Sequence, residues 1–169
     1  SRGLGDVYKR QAGKRVIELM TDEKYDILKR YFGYDTFREG QEQVIDELLS
    51  GRDVLGVMPT GAGKSLCYQI PALIFSGITL VISPLISLMK DQVRALNEAG
   101  VHAAYLNSSL TQGQYYKALS LAVEGRYPII YVAPERLLTD SFLSFAVNAD
   151  IAMVAVDEAH LSLIHISEP

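Results

Sequence analysis

The sequence predicts an α/β fold: a mostly parallel sheet with helices on both faces, preceded by an N-terminal helical segment. Two patterns and the size of the chain lead to this prediction. Short apolar runs alternate with amphipathic segments of helical length, as in βαβ units. The runs are continuous rather than alternating, which fits strands covered on both faces. With 169 residues and 49% hydrophobic content, the chain has the size of one domain with a substantial core.

The segment before the sheet is predicted to be helical. Apolar residues between positions 12 and 32 recur at helical spacing, which indicates one or two amphipathic helices. Thr21 or Asp22 is a candidate N-cap for the second helix. An aromatic-rich loop follows, and the next helix is predicted from about Gln41 to Leu49. Residues 12–50 therefore form a helical segment ahead of the sheet.

Five apolar runs are predicted to form the strands. They lie at residues 53–58, 78–82, 102–107, 128–133 and 151–156. Helices are predicted between them: from Lys64, from Pro84 to about residue 99, over residues 111–123, and from Pro134 onward. Ligands of such sheets bind beyond the carboxyl ends of the strands, so the residues that follow each run are the candidate site.

A phosphate-binding loop is predicted directly after the first run. Residues 58–69 read Met-Pro-Thr-Gly-Ala-Gly-Lys-Ser-Leu-Cys-Tyr-Gln. A strand, a glycine-rich turn and a helix in this order point backbone N–H groups at an anion. Lys64 supplies charge to the β- and γ-phosphates, and the Ser65 hydroxyl can bind Mg²⁺. A strict P-loop has a glycine where Met58 stands, yet the context still predicts a nucleotide site. Its expected nucleotide contacts are Pro59, Thr60, Gly61, Ala62, Gly63, Lys64 and Ser65.

Two adjacent carboxylates end the last run. Asp157 and Glu158 follow the strand at residues 151–156, where the complement of a P-loop is expected. We assign Asp157 to Mg²⁺, together with Ser65, and Glu158 to the water that attacks the γ-phosphate. The candidate catalytic residues are therefore Lys64, Asp157 and Glu158, and the implied cofactors are ATP and Mg²⁺.

The loop between the first two helices is a candidate adenine site. The amide of Gln41 can offer an acceptor and a donor to the base, Tyr34 can stack on it, and Arg38 lies nearby in sequence. From residue chemistry alone, however, an aromatic-rich loop is more often a packing element. The residues by themselves leave both interpretations open.

Composition narrows the class of protein. The formal net charge is −4, which does not by itself indicate a nucleic-acid binder. A negative total is still compatible with a local basic groove. No apolar run is long enough to span a membrane, so no membrane partner is expected. The single cysteine, Cys67, permits no internal disulfide and is interpreted as a small core residue. A cytoplasmic location, associated with a bacterial nucleoid, is expected.

The two ends of the chain are related through their codons. A DNA sequence that encodes residues 3–11 can be the reverse complement of one that encodes residues 161–169. That DNA resembles a transposase adapter used for sequencing libraries. We therefore expect residues 1–11 and 161–169 to be translated adapter, and residues 12–160 to be natural sequence. Sequencing the source gene beyond the codon for His160 tests this expectation.

Five motifs in order resemble the first RecA-like lobe of RecQ-family DNA helicases, a P-loop NTPase fold of superfamily 2. The resemblance covers residues 12–160, and the family does not require a glycine at Met58. The motifs are Phe-Gly-Tyr-Asp-Thr-Phe-Arg-Glu-Gly-Gln (32–41), the phosphate loop (58–69), Ser-Pro-Leu-Ile-Ser-Leu-Met-Lys-Asp-Gln-Val (83–93), Tyr-Val-Ala-Pro-Glu-Arg-Leu (131–137) and Asp-Glu-Ala-His (157–160).

The resemblance adds roles that the residues alone do not give. It implies that Tyr34, Arg38 and Gln41 recognise adenine. It also implies an ATP-dependent DNA helicase of recombination and repair as the parent protein. In the family, an aromatic-rich loop and a second RecA-like lobe with an arginine finger follow, so residues 51–160 are expected to be an incomplete lobe. This piece is expected to bind Mg-ATP without unwinding DNA. The implied contacts to a DNA strand are Ser83, Pro84, Pro134, Glu135 and Arg136.

Two alternatives remain open at the level of sequence. In the first alternative, the parent is another superfamily 2 translocase or an RNA helicase. In the second, the chain is a nucleotide-binding module that is inactive by truncation. Comparing the ATP turnover of the parent with DNA and with RNA distinguishes the first alternative from a DNA helicase. Measuring ATP hydrolysis by residues 12–160, with and without single-stranded DNA, separates the second.

Overall fold

A computed structural model describes residues 11–12, 14–15, 19, 22–58 and 63–157. The expected adapter segments lie outside these residues, except for Gln11, and so do Thr21, Pro59, Thr60, Gly61, Ala62 and Glu158. The chain divides into two compact units, Ser1–Ile74 and Phe75–Pro169.

Three packed helices form the core of the described part of the first unit, and residues 11–12, 14–15 and 19 are helical as well. Helix α1 spans residues 22–27 and runs into a π-helical turn at Leu28–Phe32. Helix α2 spans Gln41–Leu49, as predicted, and α3 spans Lys64–Ile74. Their apolar faces meet in a small core, as expected for amphipathic helices whose stability comes from packing. Its buried members are Ile27, Leu28, Ile45 and Ile70.

The predicted strand at residues 53–58 is wrong. Residues 52–58 have no regular secondary structure, and Leu55 and Val57 are 85% and 90% exposed. An apolar run becomes a strand only when it pairs with a neighbour, because its backbone polar groups need partners. None of the described strands pairs with this run.

The second unit is built on a four-stranded parallel sheet. Its strands are β1 (Ile78–Ile82), β2 (Ala103–Leu106), β3 (Ile129–Val132) and β4 (Ile151–Val156). The strand order is β2-β3-β1-β4, and all pairs are parallel. The four predicted strands in this unit and the α/β class are confirmed.

Helices connect the parallel strands. Helix α4 spans Ile86–Glu98, α5 spans Gln112–Val123 and α6 spans Asp140–Asn148. The helix predicted from Pro134 is only a 3-10 turn at Pro134–Arg136, and α6 starts later, where the hydroxyl of Thr139 caps it. A separate N-cap and the intervening residues therefore divide what the sequence presents as one helical run.

The strands differ in how deeply their residues are buried. All of β3 and the first four residues of β1 are buried, which confirms two-sided coverage for them. In β4 every second residue is exposed, including Val154 at 53% and Val156 at 49%, so two-sided coverage is wrong for β4 within the described residues. The main core lies on one side of the sheet, with α5 and α6 packed on it. Within the described part of the chain, no helix has the length and apolar character needed to cross a bilayer.

Candidate functional site

Gln41 joins the aromatic-rich loop to the glycine-rich turn. Its side chain is 1% exposed at the start of α2. The Oε1 atom accepts a 2.8 Å hydrogen bond from the backbone N–H of Arg38, and Nε2 donates a 3.0 Å bond to the carbonyl of Gly63. Two segments 22 residues apart are thus held by one amide. The sequence predicted an amide aimed at adenine and did not predict this bridge.

Gly63 is required at its position for two reasons. Its φ of +75° lies in the left-handed region, which side chains with a Cβ rarely adopt. A Cβ there would also collide with Nε2 of Gln41. The close approach between the turn and Gln41 therefore depends on the missing side chain.

Lys64 and Ser65 open helix α3. Both side chains are partly buried in the first turn, where helix N–H groups and the helix dipole favour an anion. The structure therefore bears out the predicted turn-to-helix transition at Gly63 and Lys64. The other predicted phosphate contacts, Pro59, Thr60, Gly61 and Ala62, lie outside the described residues.

Tyr34 and Arg38 lie on the solvent-exposed loop between α1 and α2. The ring of Tyr34 is 51% exposed, and Arg38 is also exposed. Both are therefore accessible to a ligand, although their roles with adenine stay predictions.

A cleft of about 630 Å³ borders this loop within the first unit. It lies between α2, represented by Gln43 and Val44, and residues 54–58, and it also touches Arg38. Its size suits a small organic ligand. Sequence reasoning missed the cleft because it assigned residues 54–58 to a sheet.

Lys24 is buried but pairs with two carboxylates whose side chains are 41% and 52% exposed, an arrangement that the sequence did not indicate. Its side chain is 1% exposed, and Nζ lies 2.8 Å from Oε1 of Glu42 and 2.5 Å from Oδ1 of Asp46. Burial by itself lowers the pKa of Lys24, but hydrogen bonds and charge from Asp46 and Glu42 outweigh it, so the pKa lies above its usual value. The bond from Lys24, and a 2.6 Å bond from the hydroxyl of Tyr25, lower the pKa of Glu42.

In the second unit, Asp157 directly follows β4. Its N–H donates a 2.9 Å hydrogen bond to the carbonyl of Ile82, so it stays in register with the end of β1. Among the described residues no group of three or more His, Cys, Asp or Glu could enclose a metal. Mg²⁺ bound with a nucleotide needs only one or two protein oxygens, because phosphates and water complete its shell. Ser65 and Asp157 each carry an oxygen of the kind that Mg²⁺ binds, and their joint role stays a prediction. Glu158 lies outside the described residues.

The structure brings two of the predicted DNA segments to one edge of the sheet. Ser83 follows β1 and is buried, and its N–H donates a 3.1 Å bond to the carbonyl of Val132 at the end of β3. Pro84 beside it is exposed, as are Pro134 and Glu135 after β3. Four of the five predicted contacts thus lie where adjacent strands end.

Arg136 is held inward at this edge. Its guanidinium lies 4.8 Å from the centre of the Tyr115 ring, and Nη2 donates a 3.4 Å bond to the carbonyl of Asn107. Asn107 is fully buried at the end of β2, and its Oδ1 accepts a 2.9 Å bond from the N–H of Ser109. Sequence reasoning did not single out Asn107, although an asparagine after a strand is a recognisable turn signal.

Comparison with known proteins fits this architecture. Residues 38–165 match the model of the DEAD/DEAH box helicase family, which is more than half of the chain. The chain therefore belongs to the DEAD/DEAH box helicases.

Relatives within that family have narrower names. The chain is 52% identical over 134 residues to the ATP-dependent DNA helicase RecQ of Haemophilus influenzae, covering 79% of this chain and 22% of the relative. It is 49% identical over 142 residues to RecQ of Bacillus subtilis, covering 83% of this chain and 24% of the relative. The predicted resemblance to RecQ helicases is confirmed, and the chain spans about a fifth to a quarter of these curated relatives.

A solved structure gives the same fold. A hypothetical ATP-dependent RNA helicase from Sulfolobus tokodaii superposes with a TM-score of 0.61 at 26% sequence identity. The match covers 84% of this chain and 43% of that chain. The predicted RecA-like architecture is confirmed by this similarity.

Proposed function

We propose that this chain is the ATP-binding lobe of an ATP-dependent DNA helicase acting in recombination and repair. The observation that carries the proposal is the Gln41 amide, which links the adenine loop at Arg38 to the phosphate turn at Gly63. An amide placed between base and phosphate elements suits recognition of an adenine nucleotide. Adenine binding then requires that these two hydrogen bonds be shared or exchanged.

Each residue of the site has a part in the proposed chemistry. Lys64 neutralises the β- and γ-phosphates, while Gly63 lets the backbone approach them. Ser65 and Asp157 hold Mg²⁺, which supplies charge neutralisation to the phosphates when bound. Glu158 orients the attacking water and accepts its proton. Tyr34 stacks on the base, beside Arg38.

The proposed nucleic-acid surface is the edge where β1 and β3 end. Exposed Pro84, Pro134 and Glu135 lie there, with Ser83 and Arg136 behind them. Backbone groups and short side chains at such an edge contact a strand through its sugars and phosphates, which position it without reading its sequence. The proposed partners are a DNA strand or unwinding junction and the second RecA-like lobe of the parent protein.

Nucleotide titration of the 169-residue chain tests the ATP site. We expect Mg-ATP to bind more tightly than Mg-GTP in calorimetry. Lys64→Ala is expected to remove detectable binding while leaving circular dichroism unchanged, because this partly buried residue lies in the first turn of α3 and not in the core. Equal ATP affinity in both proteins would contradict the assignment of the phosphate loop.

The main competing proposal is an RNA helicase, which the similarity to the hypothetical RNA helicase from Sulfolobus tokodaii favours. The RecQ relatives argue for DNA, because they are about twice as identical to the chain. Turnover of the full-length parent with single-stranded DNA and with RNA of the same sequence decides between the two. Greater stimulation by RNA would overturn the DNA proposal.

A further inference from the structure

The ion pairs of Lys24 belong to a group of side chains that joins α1 to α2. We call Lys24, Tyr25, Glu42 and Asp46 the Lys24 clasp. A charge buried as completely as that of Lys24 is costly unless it is paired and hydrogen-bonded. The carboxylates of Glu42 and Asp46, one turn apart on α2, provide that pairing. The first two turns of α2 are therefore fixed against α1.

The clasp also holds the loop that carries the adenine residues. The ring of Tyr25 lies 5.1 Å from the ring of Phe37, measured between centroids, while its hydroxyl donates to Glu42. Phe37 precedes Arg38, and Glu42 follows Gln41. The clasp therefore contacts the neighbours of both residues that meet in the Arg38–Gln41 hydrogen bond.

Glycines stand at both ends of this loop, and they add no side-chain contacts that would hold it. It begins at Gly33 and ends at Gly40, whose φ angles of +74° and +83° are both in the left-handed region. Glycines at both ends allow many loop conformations. Gln41 meets its two partners at 2.8 and 3.0 Å, so a shift of α2 by even a fraction of an ångström changes both bonds.

We infer that Lys24 is a positioning residue for recognition of the base: by holding Glu42 it keeps Gln41 in place for the adenine of ATP. Lys24 itself touches no nucleotide in this scheme. The inference rests on the proposed function, in which Gln41 reads adenine. It adds a determinant of specificity 17 residues before Gln41, outside the motifs that the sequence identified.

The experiment compares three ligands on the full 169-residue chain. Calorimetry measures the affinities of Mg-ATP, Mg-GTP and inorganic tripolyphosphate, the last of which engages only the phosphate loop. For Lys24→Met we expect the preference for ATP over GTP to fall about three- to tenfold, while tripolyphosphate affinity changes less than about twofold. A purely structural role would instead weaken all three ligands together.

Two further variants sharpen the test. Lys24→Arg keeps the positive charge and is expected to restore most of the preference. Lys29→Met is the matched control, because Lys29 also lies in the N-terminal helical segment but pairs with Asp35 at 3.7 Å in the open, with the two side chains 78% and 82% exposed. Exposed pairs of this kind contribute little, so the preference should be unchanged.

Each outcome decides the matter. A folded Lys24→Met chain with the unmutated preference overturns the inference and leaves the proposed function standing. An unmutated chain that does not prefer ATP over GTP overturns adenine recognition and the inference with it. If Lys24→Met does not fold, Glu42→Met replaces it, since this change removes the oxygen that Lys24 and Tyr25 contact and keeps a side chain of similar length. A reduced preference in Glu42→Met then supports the inference, and an unchanged one overturns it.

Discussion

Gly63 combines an unusual backbone conformation with a place in the candidate site. We predict that Gly63→Ala destabilises the chain by about 1–3 kcal/mol, because the left-handed φ is strained for alanine and the new Cβ collides with the Gln41 amide. Nucleotide affinity should fall as well. Thermal unfolding and calorimetry measure the two effects.

Gly113 provides the control for this substitution. It lies in α5, has an ordinary φ, and has no atom within 4 Å of an added Cβ. Gly113→Ala is expected to leave stability unchanged or to raise it by less than about 1 kcal/mol, because Gly113 lies in the first turn of α5, where glycine costs less than in the middle of a helix. A Gly63→Ala chain as stable as the unmutated one would show that the close approach to Gln41 is not required.

Glu42 gives the chain a predictable response to acid. Its folded pKa is lowered from the usual 4.5 by Lys24 and then by Tyr25, while the unfolded chain has the usual value. Glu42 therefore stabilises the fold above pH 4.5, and this contribution is lost as the pH falls below 4.5 through the folded pKa. Urea unfolding between pH 3 and pH 7 should show a smaller acid loss in Glu42→Gln than in the unmutated chain. An identical pH profile would contradict the ion pair.

Helix α5 depends on its N-terminal cap at the scale of an element. The hydroxyl of Thr111 accepts a 3.2 Å bond from the N–H of Gln114, and the Gln114 side chain accepts a 2.9 Å bond from the N–H of Thr111. We predict that Thr111→Ala costs about 1 kcal/mol, since it removes one of these two bonds and exposes the helix end. Thr111→Ser keeps the cap and should cost much less. Equal unfolding midpoints for the alanine variant and the unmutated chain would refute this role.

The helices and strands also show which structural features can be predicted from sequence. Strands β1 to β4 follow from local apolar runs bounded by breakers, so the sequence predicts them to within a residue or two. The run at residues 53–58 has the same pattern but lacks a pairing partner among the described strands, and pairing is not a local property. The positions of Lys64 at the start of α3 and of Asp157 after β4 are predictable from motifs, whereas the partners of Gln41 and Lys24 arise only from the packing of α2.

At the scale of the whole molecule, the exposed apolar surface of β4 is expected to promote self-association. The alternate face of β4 presents Val154 and Val156, half exposed, and β4 has no second partner among the described strands. Such an edge invites pairing with another copy. We predict that Val154→Lys lowers self-association, measured by light scattering at several protein concentrations, without lowering the unfolding temperature.

Leu138→Lys is the matched control, because Leu138 is 85% exposed but lies between the 3-10 turn and α6 and belongs to none of the described strands. It removes a similar amount of apolar surface and should leave self-association largely unchanged. If both substitutions reduce scattering equally, general hydrophobicity and not the strand edge drives association.

The reactivity of Cys67 can report how often helix α3 opens. It is the chain's only cysteine, it is 8% exposed, and burial raises the pKa of its thiol to about 11. Thiol reagents need access to the sulfur and react with the thiolate, so modification at neutral pH is expected to occur mainly when the helix opens. The rate of modification by a maleimide therefore reports how often α3 separates from its surroundings, without any introduced label. Because α3 begins at Lys64, a nucleotide that stabilises this helix should slow the reaction in proportion to its occupancy.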